Sequence, residues 1–329
     1  MKSILNHLFE YKTLNKAQAR EILVNIGQGL YNHAQITAFL TVYMMRSITV
    51  EELEGFRDAM LELCLQVDLS AYDPMDVCGT GGDGKDTFNI STLASFVVAG
   101  AGQRVAKHGN YGVSSLCGSS TVMEYLGYTF TNDPDFLNRK IEEAHICFLH
   151  APLFHPAMKY IGPIRKELGV KTFFNMLGPM VNPAFPQKQL VGVFSLELAR
   201  LYAYLYQQTD KQFAILHALD GYDEISLTGN FKMISKRQEQ VLSPQDLGLE
   251  KCRPEQLRGG TTVKESAELF LRVLQGDGTS TQNQAVIANA GMALYCANEQ
   301  LSMSDALATA RESLESGKAR RCFDKLMEN

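Results

Sequence analysis

Through the first 67 residues apolar side chains recur every three or four positions. Ala19, Ile22, Leu23 and Ile26 form one stripe, and Ile36, Phe39, Leu40 and Tyr43 another. The spacing predicts amphipathic helices, the first of them closed by Gly27 or Gly29. Thr49-Val50-Glu51-Glu52 has the form of a capping box, with Leu53, Phe56, Met60 and Leu63 as the stripe behind it. Such stripes are ordinarily packing surfaces. Tyr31, Tyr43, Met44 and Met45 are left as candidates for an exposed face that meets a second subunit.

Beyond Pro74 the pattern changes to short apolar runs alternating with helical stretches. Met75–Cys78, Arg104–Ala106, Ile146–Leu149, Leu190–Phe194 and Phe213–His217 read as strands. Helices are expected near 91–100, 119–126, 134–144 and 196–208, the third with Asp133 at its N-cap and Pro134 behind it. This alternation indicates a largely parallel sheet covered by helices. Between Pro156 and Pro186 a proline-punctuated helical stretch interrupts the strands, and we read it as returning to the N-terminal helices. The tail is helical again, with Ala285–Cys296 apolar enough to be buried. The expected fold is α/β: a small all-helical N-terminal domain, 1–70 with 163–184 returning to it, and a larger domain, 71–162 and 185–329, with a mostly parallel central sheet.

A chain of 329 residues supports two domains, and 45% hydrophobic with 20% charged residues is ordinary for a globular protein. The net charge of −5 disfavours nucleic acid and anionic membranes as partners. An anionic substrate therefore needs local cations or a metal. Seven cysteines without a CxxC pair read as reduced thiols. No stretch approaches the ~20 apolar residues of a membrane span, and the N-terminus lacks a signal-peptide core. A cytoplasmic protein is expected.

Candidate chemistry starts at Gly79-Thr80-Gly81-Gly82-Asp83-Gly84, between the first strand and a helix opening at Asn89-Ile90-Ser91-Thr92. Glycines bring backbone N–H groups close to a ligand, and a helix N-terminus adds a positive dipole end, so phosphate is the natural occupant. Asn89 and Ser91 are both N-cap types, so either caps and leaves the other for the ligand. A lone glycine loop is more often a plain surface turn. Lys107-His108-Gly109-Asn110 directly follows a strand, where ligands of parallel sheets bind; Lys107 suits a phosphate, and His108 and Asn110 offer directional hydrogen bonds. Ser114-Ser115-Leu116-Cys117-Gly118-Ser119-Ser120-Thr121 reads as a second anion cradle, or as a turn in which Ser119 or Ser120 caps a helix. His155, Arg165 and Asn175-Met176-Leu177-Gly178-Pro179 form a third group, Arg165 being a fork for a carboxylate. Asp223-Glu224, in a loop after a strand, suits Mg²⁺ with its water shell and phosphate oxygens.

These segments, together with His155-Pro156-Ala157-Met158 and Asp223-Glu224-Ile225-Ser226, resemble the anthranilate phosphoribosyltransferase family in kind and order, from about residue 15 to 298. The resemblance implies transfer of the 5-phosphoribosyl group of 5-phosphoribosyl 1-pyrophosphate (PRPP) to the amine of anthranilate, releasing pyrophosphate, in tryptophan biosynthesis. It also implies Mg²⁺, two ions per active site, and a homodimer through the helical domain. Residue by residue, it assigns Gly79, Gly82, Asp83, Thr87, Asn89, Ser91, Thr92, Lys107 and Ser119 to PRPP. Gly79, His108, Asn110, Pro152, His155, Tyr160, Arg165 and Gly178 are assigned to anthranilate, and Ser91, Asp223 and Glu224 to metal. His108 is the one candidate for orienting the amine, which is neutral at pH 7 and needs no strong base.

Two positions depart from the family pattern. Tyr111 stands where Arg is common, and Thr121 where Asp is common. No glutamine amidotransferase domain is expected in fusion. The competing readings are a pyrimidine nucleoside phosphorylase, disfavoured because Lys107-His108 is followed by Gly109 and not Ser, and a non-catalytic nucleic-acid-binding paralogue, disfavoured by the charge and by Asp223-Glu224.

Overall fold

Asn15, Asn32 and Thr49 each close a capping box, and each starts one of the helices Lys16–Gly27, His33–Met45 and Val50–Leu63. The computed structural model describes residues 1–112 and 118–328, in two units, Met1–Val67 with Ala151–Phe185 and Asp68–His150 with Pro186–Asn329. In the first unit, Gly55 lets two helices cross closely: a Cβ there would lie 2.4 Å from the Lys16 carbonyl oxygen. The returning segment is held by aromatic packing, with Phe173 stacked on Phe56 at 4.4 Å and edge-on to Tyr43 at 5.2 Å. It begins at Ala151, well before the boundary expected at 163. Phe154, Ala157 and Ile161 are buried and the Leu65 N–H donates to the Phe154 carbonyl, which is why the break falls at the end of a strand and not at a proline.

Tyr43 is not available to a partner as expected. It is buried, and its hydroxyl donates to Glu52, whereas Met45 is 82% exposed. Glu52 is the hub of this unit. Its fully buried carboxylate accepts from Leu14 N, Tyr43 Oη, Arg46 Nη1 and Nη2, Thr49 N and Thr49 Oγ1. Burial alone would raise its carboxyl, but Arg46 and the backbone donors hold it below the usual range.

The second unit contains a seven-stranded sheet in the order β3-β2-β1-β4-β5-β6-β7. The strands are β1 Met75–Gly79, β2 Val105–Gly109, β3 Ile146–His150, β4 Lys188–Gly192, β5 Gln212–Ala218, β6 Phe231–Ser235 and β7 Glu239–Leu242. The first five are parallel; β6 and β7 add an antiparallel edge that the apolar pattern did not predict. Helices Ile90–Gly100, Ser280–Ala297 and Lys318–Met327 pack against the strands, with Phe96, Phe270 and Phe323 in ring contact at the core. Among the described residues, six cysteines are free thiols and no helix is long and apolar enough to cross a membrane.

Glu52→Ala should be among the most damaging single changes in the helical unit, because it leaves buried donors and the Arg46 charge unpaired. Breaking one side of a buried pair costs about 3–5 kcal/mol. Urea unfolding should show a loss of that order, and a loss below about 1 kcal/mol would contradict the hub.

Candidate functional site

The carboxyl ends of β1 and β4 meet at Gly79 and Gly192, which are register partners. Both are glycine for a steric reason. A Cβ on Gly192 would sit 1.5 Å from the Asp223 carbonyl oxygen, and one on Gly79 would sit 2.7 Å from Asp223 Oδ2. The connection from β5 to β6 therefore lies directly over these two strand ends. Asp223 Oδ2 accepts from the Gly81 N–H at 2.6 Å, and Glu224 Oε1 from Thr87 Oγ1 at 2.7 Å. The glycine loop and the acidic loop are thus tied together before any ligand binds. Gly81, Gly82 and Gly84 have φ of +65°, +78° and +71°, backbone that residues with side chains rarely adopt.

Asn289, which the sequence reading passed over as part of an apolar helix, clamps the acidic loop from below. Its Oδ1 accepts from Ile225 N and its Nδ2 donates to the Ile225 carbonyl oxygen. Ser91, Asp223 and Glu224 line one cavity of about 10 Å³ with Gly79, Gly192 and Asn289, room for about one water-sized sphere. Burial, then the neighbouring Asp83 carboxylate, push the Asp223 carboxyl up; burial, then Asp223, push Glu224 up. Two carboxylates are thereby held together at an energetic cost that a cation would relieve. Among the described residues no three His, Cys, Asp or Glu side chains form a ready metal cage. The donor set fits Mg²⁺, which keeps several waters and takes only one or two carboxylates. Thr80 and Thr92 add buried hydroxyls with no hydrogen-bond partner among the described residues.

Several expectations need correction. Lys107, His108 and Gly109 do not follow β2 but end it, and the first two are buried. β1 and β2 share the single register pair Met75↔Val105. Where they part, polar side chains fill in: Lys107 Nζ donates to the Val77 carbonyl at 2.7 Å, and His108 N donates to the buried Asp76 carboxylate at 3.2 Å. One of the three donors of the Lys107 ammonium, expected on a phosphate, is therefore engaged with β1. Asn89 sits at the N-cap position without a capping hydrogen bond from its side chain. Neither Ser119 nor Ser120 caps its helix, since Gly118 holds that position; Ser119 Oγ donates to the Asn110 carbonyl and Ser120 Oγ pairs with His150 Nδ1. Ser114, Ser115, Leu116 and Cys117 of the hydroxyl-rich turn lie outside the described residues.

The residues assigned to anthranilate are divided between the two units. Gly79, His108 and Asn110 belong to the α/β unit, and Pro152, His155, Tyr160, Arg165 and Gly178 to the helical unit. Burial pushes the His155 imidazole down to about 4, so it is neutral at pH 7. Burial also lowers Arg165, whose Nη2 donates to Asn175 Oδ1 at 3.2 Å and whose charge lies over the Phe174 ring. Its Nε has no hydrogen-bond partner among the described residues. Arg165 is a desolvated cation with donors to spare.

Two family models cover nearly the whole chain. Residues 71–320 match the glycosyl transferase family a/b domain, and residues 2–64 match its helical bundle domain. The anthranilate phosphoribosyltransferase of Christiangramia forsetii is 62% identical over 99% of this chain and 98% of its own length. That of Flavobacterium johnsoniae is 61% identical over 100% and 99%. Among solved structures, anthranilate phosphoribosyltransferase from Thermus thermophilus superposes with a TM-score of 0.91 at 33% identity, covering 98% of both chains. The Saccharomyces cerevisiae enzyme in complex with PRPP and Mg superposes at 0.90 with 26% identity, covering 99% of this chain and 96% of its own.

If Asp223 and Glu224 are held together at a cost, neutralising them should not harm the empty fold. In Asp223→Asn with Glu224→Gln the hydrogen bonds to Gly81 and Thr87 keep acceptor oxygens, while the like-charge repulsion disappears. The thermal midpoint of the ligand-free double variant should equal or exceed that of the parent protein. A fall of about 3 °C or more, roughly 1 kcal/mol for a domain of this size, would show that the charges stabilise the sheet end.

Proposed function

The chain belongs to the anthranilate phosphoribosyltransferase family, and from that premise we infer that it transfers the 5-phosphoribosyl group of PRPP to the amine of anthranilate, giving N-(5-phosphoribosyl)anthranilate and pyrophosphate in tryptophan biosynthesis. The observation that carries this reading is the pairing of a left-handed glycine loop with two adjacent carboxylates, Asp223 half-buried and Glu224 buried, at the ends of β1 and β4.

We propose that Gly79, Gly82, Asp83, Thr87, Asn89, Ser91, Thr92, Lys107 and Ser119 take the diphosphate and ribose of PRPP. Asp223, Glu224 and Ser91 hold Mg²⁺, with two ions per site as part of the same proposal. When bound, Mg²⁺ neutralises charge on the diphosphate. Departure of pyrophosphate leaves positive charge on the ribose ring and negative charge on the leaving oxygens. The N–H groups of the glycine loop are preorganised donors for that negative charge, and they need no reorientation as it develops. Anthranilate brings a neutral amine, so the protein orients a nucleophile and does not have to create one. His108 and Asn110 are assigned to the amine, Arg165 to the carboxylate, and Gly79, Pro152, His155, Tyr160 and Gly178 to the walls around the ring. A neutral His155 suits such a wall, because a second cation there would compete with Arg165 for the acid.

We also propose a homodimer through the helical unit, supported by the exposed Phe9, Tyr11, Leu30 and Met45 on it. A cytoplasmic location is part of the same reading.

The direct test follows anthranilate fluorescence with PRPP and Mg²⁺. Signal loss should stop in EDTA and return with excess Mg²⁺; turnover unaffected by chelation would exclude the metal assignment. A parallel phosphorolysis assay with thymidine or uridine should show nothing.

Arg165→Ala separates the two substrates. A hydrogen bond to a charged group contributes about 1.5–3 kcal/mol, equivalent to roughly 10–150-fold in affinity. The KM for anthranilate should rise within that range while the KM for PRPP stays near its parent value. Loss of PRPP affinity with anthranilate binding unchanged would reverse the assignment of the substrates.

A further inference from the structure

Tyr111 is one of the two positions that depart from the resemblance described above. Tyr111 makes specific contacts of its own. Its Oη donates to Glu124 Oε1 at 2.7 Å, and its ring stands edge-on to His150 at 4.8 Å. His150 ends β3, is buried, stacks on Phe130 at 4.5 Å and pairs through Nδ1 with Ser120 Oγ at 3.0 Å. Glu124 and Ser120 stand on the same short helix, Ser119–Tyr125. That helix is therefore held at two points, by Tyr111 directly and by the His150 ring against which Tyr111 rests.

The helix also carries Ser119, whose Oγ donates to the Asn110 carbonyl at 3.2 Å. The Asn110 side chain in turn accepts from the Tyr111 N–H at 2.8 Å. Where the helix begins, the chain passes close to itself: a Cβ on Gly118 would lie 2.0 Å from Gly112 N. A small rotation of the helix would move the Ser119 hydroxyl away from the end of β2. We propose that Tyr111 is a positioning residue for PRPP, acting through Glu124 and His150 to hold the Ser119 hydroxyl in register with Asn110 at the end of β2. It does so through a phenol–carboxylate hydrogen bond and a ring contact. The proposal rests on the assignment of Ser119 to PRPP made above.

Calorimetric titration of the full-length protein with PRPP in the presence of Mg²⁺ tests it. Tyr111→Phe keeps the ring on His150 and removes the hydrogen bond to Glu124. Its PRPP affinity should fall about 3- to 10-fold, the span of an ordinary hydrogen bond with a partly exposed partner. Glu124→Ala should fall by a similar factor, and the double variant by no more than the worse single one, because both remove the same bond. Glu124→Gln keeps an acceptor oxygen and should return to within about 2-fold of the parent. The anthranilate KM should stay within about 2-fold throughout, because Asn110 is oriented by a backbone N–H that every variant retains.

Unchanged PRPP affinity in Tyr111→Phe overturns the proposal, as do fully additive losses in the double variant. Weakened binding that Glu124→Gln fails to spare, with a lowered thermal midpoint, would assign Tyr111 a structural role only and equally overturns it. A parent protein that does not bind PRPP would instead remove the assignment of Ser119 on which the proposal rests.

Discussion

Asp223 packs over the ends of β1 and β4 so closely that neither strand can end in a residue with a side chain. Much of the α/β site follows from that contact. With its backbone lodged over Gly192, Asp223 has its carboxylate at the Gly81 N–H. Glu224 then faces Thr87, which stands opposite Arg258 in an isolated antiparallel bridge that braces the far end of the glycine loop. Ile225 comes next and is gripped on both backbone groups by Asn289. The loops that carry the chemistry are held to protein on each side.

This changes what the glycine motif means. Read in sequence, its glycines admit a phosphate. In the structure they divide into two kinds. Gly79, like Gly192 of β4, is small so that the protein's own acidic loop can come down on it. Gly81, Gly82 and Gly84 supply left-handed backbone. A pattern of spacing does not separate the two kinds, because the residue that excludes the Cβ lies more than a hundred positions away.

Legibility elsewhere follows the same rule of locality. The capping box at Thr49–Glu52, the Asp133-Pro134 helix start and the five parallel strands were readable because each signal lies within a few neighbouring residues. β6 and β7 were missed. Phe231-Lys232-Met233-Ile234-Ser235 mixes polar and apolar residues, and Glu239–Leu242 buries none of its residues, as expected at a sheet edge. β2 was cut short at Ala106 because Lys and His contradict the apolar run of a strand buried on both faces. They are tolerated because the ladder between β1 and β2 opens after one pair, leaving a carbonyl and an N–H that polar side chains satisfy. The break between units at Ala151 was invisible for a related reason: it is set by the burial of Phe154 and by the stacking of Phe173 on the distant Phe56, and not by any turn residue.

Buried charges in this chain come in two states of completion, and the contrast separates architecture from chemistry. Glu52 and Asp223 are both acids within folded units, yet their carboxyls move in opposite directions. Glu52 gathers six hydrogen bonds, including the two-pronged contact from Arg46, and its ionised form is favoured. Asp223 receives the Gly81 N–H and faces Asp83, and its ionised form is disfavoured. The arginines divide likewise. Arg46 is neutralised by Glu52 and its charged form is strengthened, whereas Arg165 is desolvated beside a neutral amide and its charged form is weakened. Folding alone gains little from leaving a buried charge without its counter-charge. In the proposed assignment the incomplete acid pair and the incomplete arginine are the places where a cation and an acid recover binding energy, with the opposite signs that PRPP–Mg²⁺ and anthranilate require.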